Sequence, residues 1–190
     1  MSDIQNAFRL IGSLDLTSLS HDDTEEKIAA LCAKAITPYG TTAAVCVYPE
    51  WVPLARKLLK KTPVKVATVV NFPAGGSDFK LMKDEIKKGL GGGADEIDAV
   101  FPYRDFLAGN LDCCRRFLDI IQRECSKHTS KIILETGELN HVSTIAAAVK
   151  LCLEYDIDFI KTSTGKTPVS ATVGAANIIL ETIRDSGRDV

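Results

Sequence analysis

The segment DFIKTSTGK, Asp158 to Lys166, sets an amine inside an apolar, strand-like run and follows it with three hydroxyls, a glycine and a second lysine. A lysine in such a run is costly unless its charge is paired or removed. Two readings account for Lys161. In one, desolvation or a neighbouring cation brings its ionisation down from about 10.4 to near neutrality, about 4 kcal/mol of work, and the free amine forms a Schiff base with a carbonyl compound. In the other, it is half of an interior ion pair with Asp98, Glu135 or Asp15. The residues that follow tilt the balance to the first. Thr162, Ser163, Thr164 and Gly165 bring hydroxyls and free backbone to a strand end, and Lys166 adds a positive charge, a cradle for a phosphate or a hydroxylated chain.

A second constellation lies in DEIDAVFPY, residues 95–103. Asp98, flanked by Ile97, Ala99 and Val100, sits inside a strand, where it can move protons through a water or serve as the partner of Lys161. Asp95, at the strand entrance, reads as solvated. Two glycine-rich stretches have different weights. GLGGGA (89–94) matches the spacing of a dinucleotide fingerprint, but it ends a helix and leads into a strand, so it reads as a helix stop. NFPAGGSD (71–78) lies between a strand and a helix, where backbone N–H groups can face a ligand, although an ordinary connecting loop accounts for it as well.

These residues need elements to hold them. Six runs read as strands: 13–19, 43–48, 64–72, 95–101, 131–136 and 158–163. Most are continuously apolar and β-branched, the pattern of parallel strands covered on both faces. Helical patterns separate them, among them 22–36 with acidic capping, 79–90, 141–155 and 170–187. No Pro-rich or Ser-rich linker divides the chain, so residues 1–190 read as a single domain. The polar residues Asp15, Asn71, Asp98, Glu135 and Lys161 fall in or at the ends of five different strands, which favours a (β/α)8 TIM barrel over an open sheet with one switch point. Such a barrel runs to about 250 residues, so the expectation is an incomplete barrel with about six of its eight β-α units.

Composition sets bounds. The 190 residues are 45% hydrophobic and carry a formal net charge of −2 from interspersed acids and bases. That argues against a nucleic-acid partner, and no apolar run approaches the roughly 20 residues that span a bilayer. The N terminus has no secretory pattern, which predicts a cytoplasmic protein. The six cysteines form no C-x-x-C pair and the three histidines no ligand cluster, so no metal is expected and the thiols read as reduced, buried small hydrophobes.

LDLTSL, TTAAVCVYP, ATVVNFPAG, GADEIDAVFPY, ILETGEL and DFIKTSTGK, in this order and spacing, closely resemble deoxyribose-phosphate aldolase from about residue 8 to residue 186. The resemblance implies a (β/α)8 barrel without cofactor or metal that reversibly cleaves 2-deoxy-D-ribose 5-phosphate to acetaldehyde and D-glyceraldehyde 3-phosphate, a cytoplasmic step of deoxyribonucleotide catabolism. It implies Lys161 as Schiff-base nucleophile and Asp98 as acid/base. Asp15, Thr17 and Cys46 match positions lining the substrate pocket, and Thr164, Gly165 and Lys166 match groups near the substrate hydroxyls and phosphate. Ser20 stands where relatives often carry asparagine. The family's second essential lysine, in a GFKPAGG-like segment, and the glycines and serines of its last two strands have no counterpart here. The partners implied are a phosphorylated sugar and an aldehyde, with a homo-oligomer possible. The alternative is a catalytically silent barrel fragment whose open edges act only by association with another chain.

Overall fold

The computed structural model describes residues 3–188 and 190. From the N terminus the elements run α1 (Asp3–Ile11), β1 (Asp15–Thr17), α2 (Glu25–Lys34), the short pair β2 (Ile36–Thr37) and β3 (Gly40–Thr41), and β4 (Ala44–Val47). A 3-10 turn at Pro49–Trp51 leads into α3 (Val52–Leu59), then β5 (Lys65–Val70), α4 (Phe79–Gly91) and β6 (Glu96–Val100). The chain continues through α5 (Tyr103–Leu107), α6 (Leu111–Glu124), β7 (Thr129–Ile133), α7 (Thr136–Leu139), α8 (Val142–Cys152), β8 (Phe159–Lys161) and α9 (Val173–Ser186).

Local chemistry explains most boundaries. Thr24 caps α2 by accepting from the Lys27 N–H at 3.3 Å, with Glu25 and Glu26 in the first turn where the helix dipole favours acids. Thr172 caps α9 in the same way, accepting from Ala175 N–H, and Gly187 closes it in the left-handed conformation, φ 69°. The glycine cluster after α4 is a helix stop, as its position between helix and strand implies: Gly93 has φ 98°. All six expected strands form, each shorter than the run that marks it. Lys161 is the last residue of β8, not its middle, and β7 ends at Ile133, two residues before Glu135. The reason lies in Glu135, whose φ of 56° turns the chain out of the extended region.

The fold is α/β, with six parallel strands and helices between them. The chain forms two compact units, Met1–Val69 with Lys87–Glu96, and Val70–Ile86 with Ile97–Val190. In the first, the strand order is β1-β4-β5, with Asp15 in register with Ala44 and Thr17 with Cys46. Its buried apolar residues include Ile28, Cys32, Val45, Val52, Leu59 and Val66. Asp95 belongs here, and the solvated role expected for it does not hold. Its Oδ2 accepts from the Val66 N–H at 2.8 Å and pairs with Arg56, while Arg56 Nε donates to Gly93 O at 2.8 Å. The carboxylate ties the strand entrance to α3.

In the second unit the order is β6-β7-β8. α6 presents Cys114, Phe117, Leu118 and Ile121 as a buried stripe at i, i+3, i+4, i+7. Phe101, at the end of β6, meets Phe117 edge-on at 5.9 Å and Phe106 at 5.5 Å. α8 lies against α9. Among the described residues no helix is long and apolar enough to cross a membrane.

Candidate active site

The second unit brings Lys161 to Asp98. Asp98 is the central residue of β6 and its side chain is 1% exposed, so its carboxylate has left water and needs partners. Lys161 Nζ donates to Asp98 Oδ2 at 2.5 Å from the end of β8. The other carboxylate oxygen, Oδ1, faces Lys131 Nζ at 3.5 Å. Lys131 lies two positions before Ile133, and Ile133 is the register partner of Lys161, so with a side-chain period of two Lys131 and Lys161 project from the same face of adjacent strands. One buried carboxylate thus stands between two ammonium groups.

Access separates the two lysines. The Lys161 side chain is 31% exposed and that of Lys131 only 6%. A small carbonyl compound can reach the first and not the second. Lys131 escaped notice in the sequence because it opens the run KIILET, where a charge reads as a strand-entrance residue. Its only sequence signal is the spacing of two from Ile133 within an apolar strand.

Past the strand ends lies a second polar cluster. Glu135 is fully buried, and its carboxylate accepts from the Thr164 N–H at 3.3 Å and from the Thr164 hydroxyl. Thr136 N–H donates to Thr162 O at 2.8 Å, which joins this turn to the segment after β8. The Thr164 Oγ1 also accepts from Lys166 N–H at 3.0 Å. Gly165, φ 74°, and Lys166 are exposed, and a Cβ at Gly165 would meet nothing within 4 Å. Two buried hydroxyls beside this cluster, Thr136 Oγ1 and Ser163 Oγ, have no hydrogen-bond partner. Glu135 thus holds the segment that follows β8 through Thr164.

Asp15, Thr17 and Cys46 fall in the first unit and form their own group. Asp15 and Thr17 share a face of β1 by alternation, and Cys46 stands in register with Thr17 on β4. Thr17 Oγ1 donates to Asp15 O at 3.0 Å, and Cys46 is buried.

The NFPAGGSD loop is held by its own polar groups and by the chain that follows β6. Asn71 Nδ2 donates to Gly76 O and to Val100 O, each at 2.9 Å, and Asn71 Oδ1 accepts from Gly76 N–H at 3.1 Å. Arg104 adds a bond to Ala74 O at 2.7 Å. The loop spends these polar groups on its own shape, in keeping with a connecting role. Elsewhere, burial pushes the Cys114 and Cys125 thiols up to about 12 and Cys152 higher still, so these cysteines are neutral small hydrophobes at pH 7.

A buried carboxylate at the centre of a strand, joined to a solvent-reached amine at the end of another in a parallel α/β fold, is an arrangement that can support carbonyl chemistry, and comparison with known proteins places the chain among the aldolases. Residues 9–190 match the DeoC/LacD family aldolase model, and the chain belongs to that family. A provisionally assigned deoxyribose-phosphate aldolase from Coccidioides immitis is similar at 29% identity and TM-score 0.88, over 94% of this chain and 69% of that one. One from Toxoplasma gondii ME49, also provisionally assigned, aligns at 28% identity and TM-score 0.86, over 96% and 70%. The deoxyribose phosphate aldolase of Aeropyrum pernix, described as a unique tetramer, aligns at 25% identity and TM-score 0.82, over 95% and 75%.

Proposed function

We propose that the chain is a class I aldolase acting on 2-deoxy-D-ribose 5-phosphate, with Lys161 as the Schiff-base nucleophile and Asp98 as the proton carrier. The observation that carries this is the 2.5 Å contact between an amine that solvent reaches and a carboxylate that it does not. Uncharged, Lys161 Nζ attacks the C1 aldehyde of the open sugar, and the carbinolamine loses water to give an iminium ion. The proton on the C3 hydroxyl leaves, the C2–C3 bond breaks, and its electron pair moves into the iminium as an enamine while glyceraldehyde 3-phosphate departs. Protonation at C2 and hydrolysis of the imine release acetaldehyde and the amine. Asp98 is placed to take and return protons in these steps, directly or through one water.

Thr164, Gly165 and Lys166 are proposed as the contacts of the hydroxylated, phosphorylated end. In support, they follow Lys161 directly, Lys166 is exposed, and Gly165 leaves space for a ligand against the backbone. Asp15, Thr17 and Cys46 are proposed as further substrate-binding residues, and residues 1–190 as one domain of (β/α)8 type built of six β-α units. The second reading, a silent fragment that acts by association, is favoured by the position of β8 at the end of the strand order with Phe159 52% exposed.

Borohydride reduction in the presence of acetaldehyde, followed by peptide mass mapping, tests the assignment. The expected result is an N-ethyl adduct on Lys161. An adduct mainly on Lys166 or on Lys131 would refute it, and no adduct on any buried-site lysine would favour the silent reading.

A further inference from the structure

The turn after β7 grips the segment after β8 at both ends. Leu134 N–H donates to Lys161 O at 3.0 Å and Thr136 N–H to Thr162 O at 2.8 Å, while a Cβ added at Gly137 would lie 2.2 Å from Val169 O. Between these points stands Glu135, fully buried, in a left-handed backbone conformation that is costly for a residue with a Cβ. Its carboxylate takes both donors of Thr164, the N–H and the hydroxyl. A carboxylate only accepts, so the Thr164 hydroxyl spends its one proton on Glu135 and offers a lone pair to the Lys166 N–H, 3.0 Å away.

We propose that Glu135 is the positioning residue of the turn at 164–166: acting through Thr164, it fixes the amides of this turn, so that a phosphate meets the Gly165 N–H and Lys166 in a preset geometry. This rests on the role proposed for Thr164, Gly165 and Lys166 at the phosphorylated end of the substrate. Of the three backbone N–H groups at 164–166, two are consumed, that of Thr164 by Glu135 and that of Lys166 by Thr164. The Gly165 N–H, on an exposed residue at φ 74°, has no partner among the described residues. An anion is held best by donors that need no reordering when it arrives. The sign of the charge makes the role distinctive. A buried negative group beside an anion site repels the anion, so what Glu135 contributes is shape and not attraction. Glu135→Gln therefore separates the two effects. If charge governed, its removal would tighten phosphate binding. If position governs, binding weakens: both carboxylate oxygens face the Thr164 N–H, at 3.4 and 3.3 Å, so either orientation of an amide sets an NH2 donor against that N–H.

The test titrates isotope-labelled wild-type and Glu135→Gln chains with inorganic phosphate and follows the Gly165 amide by NMR, which needs no turnover. The expected result is a phosphate-dependent Gly165 shift in the wild type and a dissociation constant about tenfold higher in Glu135→Gln. An unchanged or lower constant, or a wild-type Gly165 amide that phosphate does not move, would overturn the proposal. Cleavage kinetics give a second readout. KM for 2-deoxyribose 5-phosphate should rise about tenfold in Glu135→Gln with kcat within about twofold, and kcat/KM for unphosphorylated 2-deoxyribose should also stay within about twofold. Equal losses on both sugars would make Glu135 a general support of the fold and sink the positioning role. Circular dichroism checks that Glu135→Gln is folded; if it is not, Glu135→Asp, which keeps the charge but shortens the reach to Thr164, is measured in its place with the same expectation. Phosphate binding at Gly165 that weakens in the variant, in a wild-type chain that cleaves neither sugar, would sustain the role of Glu135 and sink the aldolase reading of Lys161.

Discussion

Replacing Asp98 by asparagine should damage stability as well as turnover, because the carboxylate serves two cations. At 2.5 and 3.5 Å the gross attraction to each ammonium is roughly 5–7 kcal/mol at an effective dielectric of about 20, most of it offset by the cost of taking the charges out of water. The net effect is set by what remains behind. Lys161 can turn part of its ammonium to solvent, whereas Lys131, 6% exposed, loses the buried carboxylate beside it. Breaking a buried pair from one side costs about 3–5 kcal/mol, a large share of the 5–15 kcal/mol that holds a typical domain together. If Asp98 carries the proton as proposed, its removal should lower turnover by roughly 10²- to 10⁴-fold. Urea unfolding followed by circular dichroism gives the stability term. The double variant Asp98→Asn/Lys131→Met identifies its source, since removing both charges should recover at least about half of the loss. A single variant within about 0.5 kcal/mol of wild type, or a double variant no better than the single, would refute the electrostatic account of this core.

Two further outcomes are expected. Gly75→Ala should destabilise the chain by about 2–4 kcal/mol, because the residue sits at φ 59° and a Cβ would lie 2.4 Å from Phe101 O and 3.1 Å from the Tyr103 ring; an unchanged urea midpoint would show that the loop has room. Stability should also decline above about pH 9. Burial raises the Cys114 and Cys125 thiols to about 12 in the folded chain, so the stability they contribute is full below their ordinary ionisation and is lost as pH rises towards 12, by up to about 1.4 kcal/mol per pH unit for each thiol. Melting temperatures between pH 8 and 11 check the slope, which should be shallower in Cys125→Ala.

Much of this protein is legible without coordinates, for a local reason. Continuous apolar β-branched runs and helix-stop glycines act over a few residues, so the strands around residues 44–47, 65–70, 96–100 and 159–161 and the end of α4 follow from the order of side chains alone. The same locality makes Lys161 and Asp98 conspicuous, since each is a charge set in an apolar strand. Other local signals are equally regular: the 114, 117, 118, 121 stripe of α6 and the Pro53-led start of α3 are helix patterns. Tertiary structure decided the rest. Whether Lys161 meets Asp98, Glu135 or Asp15 depends on strand order and register, which a linear pattern leaves open. Asp95 reads as a solvated entrance residue until Arg56, 39 positions earlier, is brought to it. Lys131 reads as the first charge of a strand until β7 lies beside β8, about 5 Å away in the hydrogen-bonding direction. Only then do two lysines share one buried carboxylate, the juxtaposition on which the chemistry proposed for this chain depends.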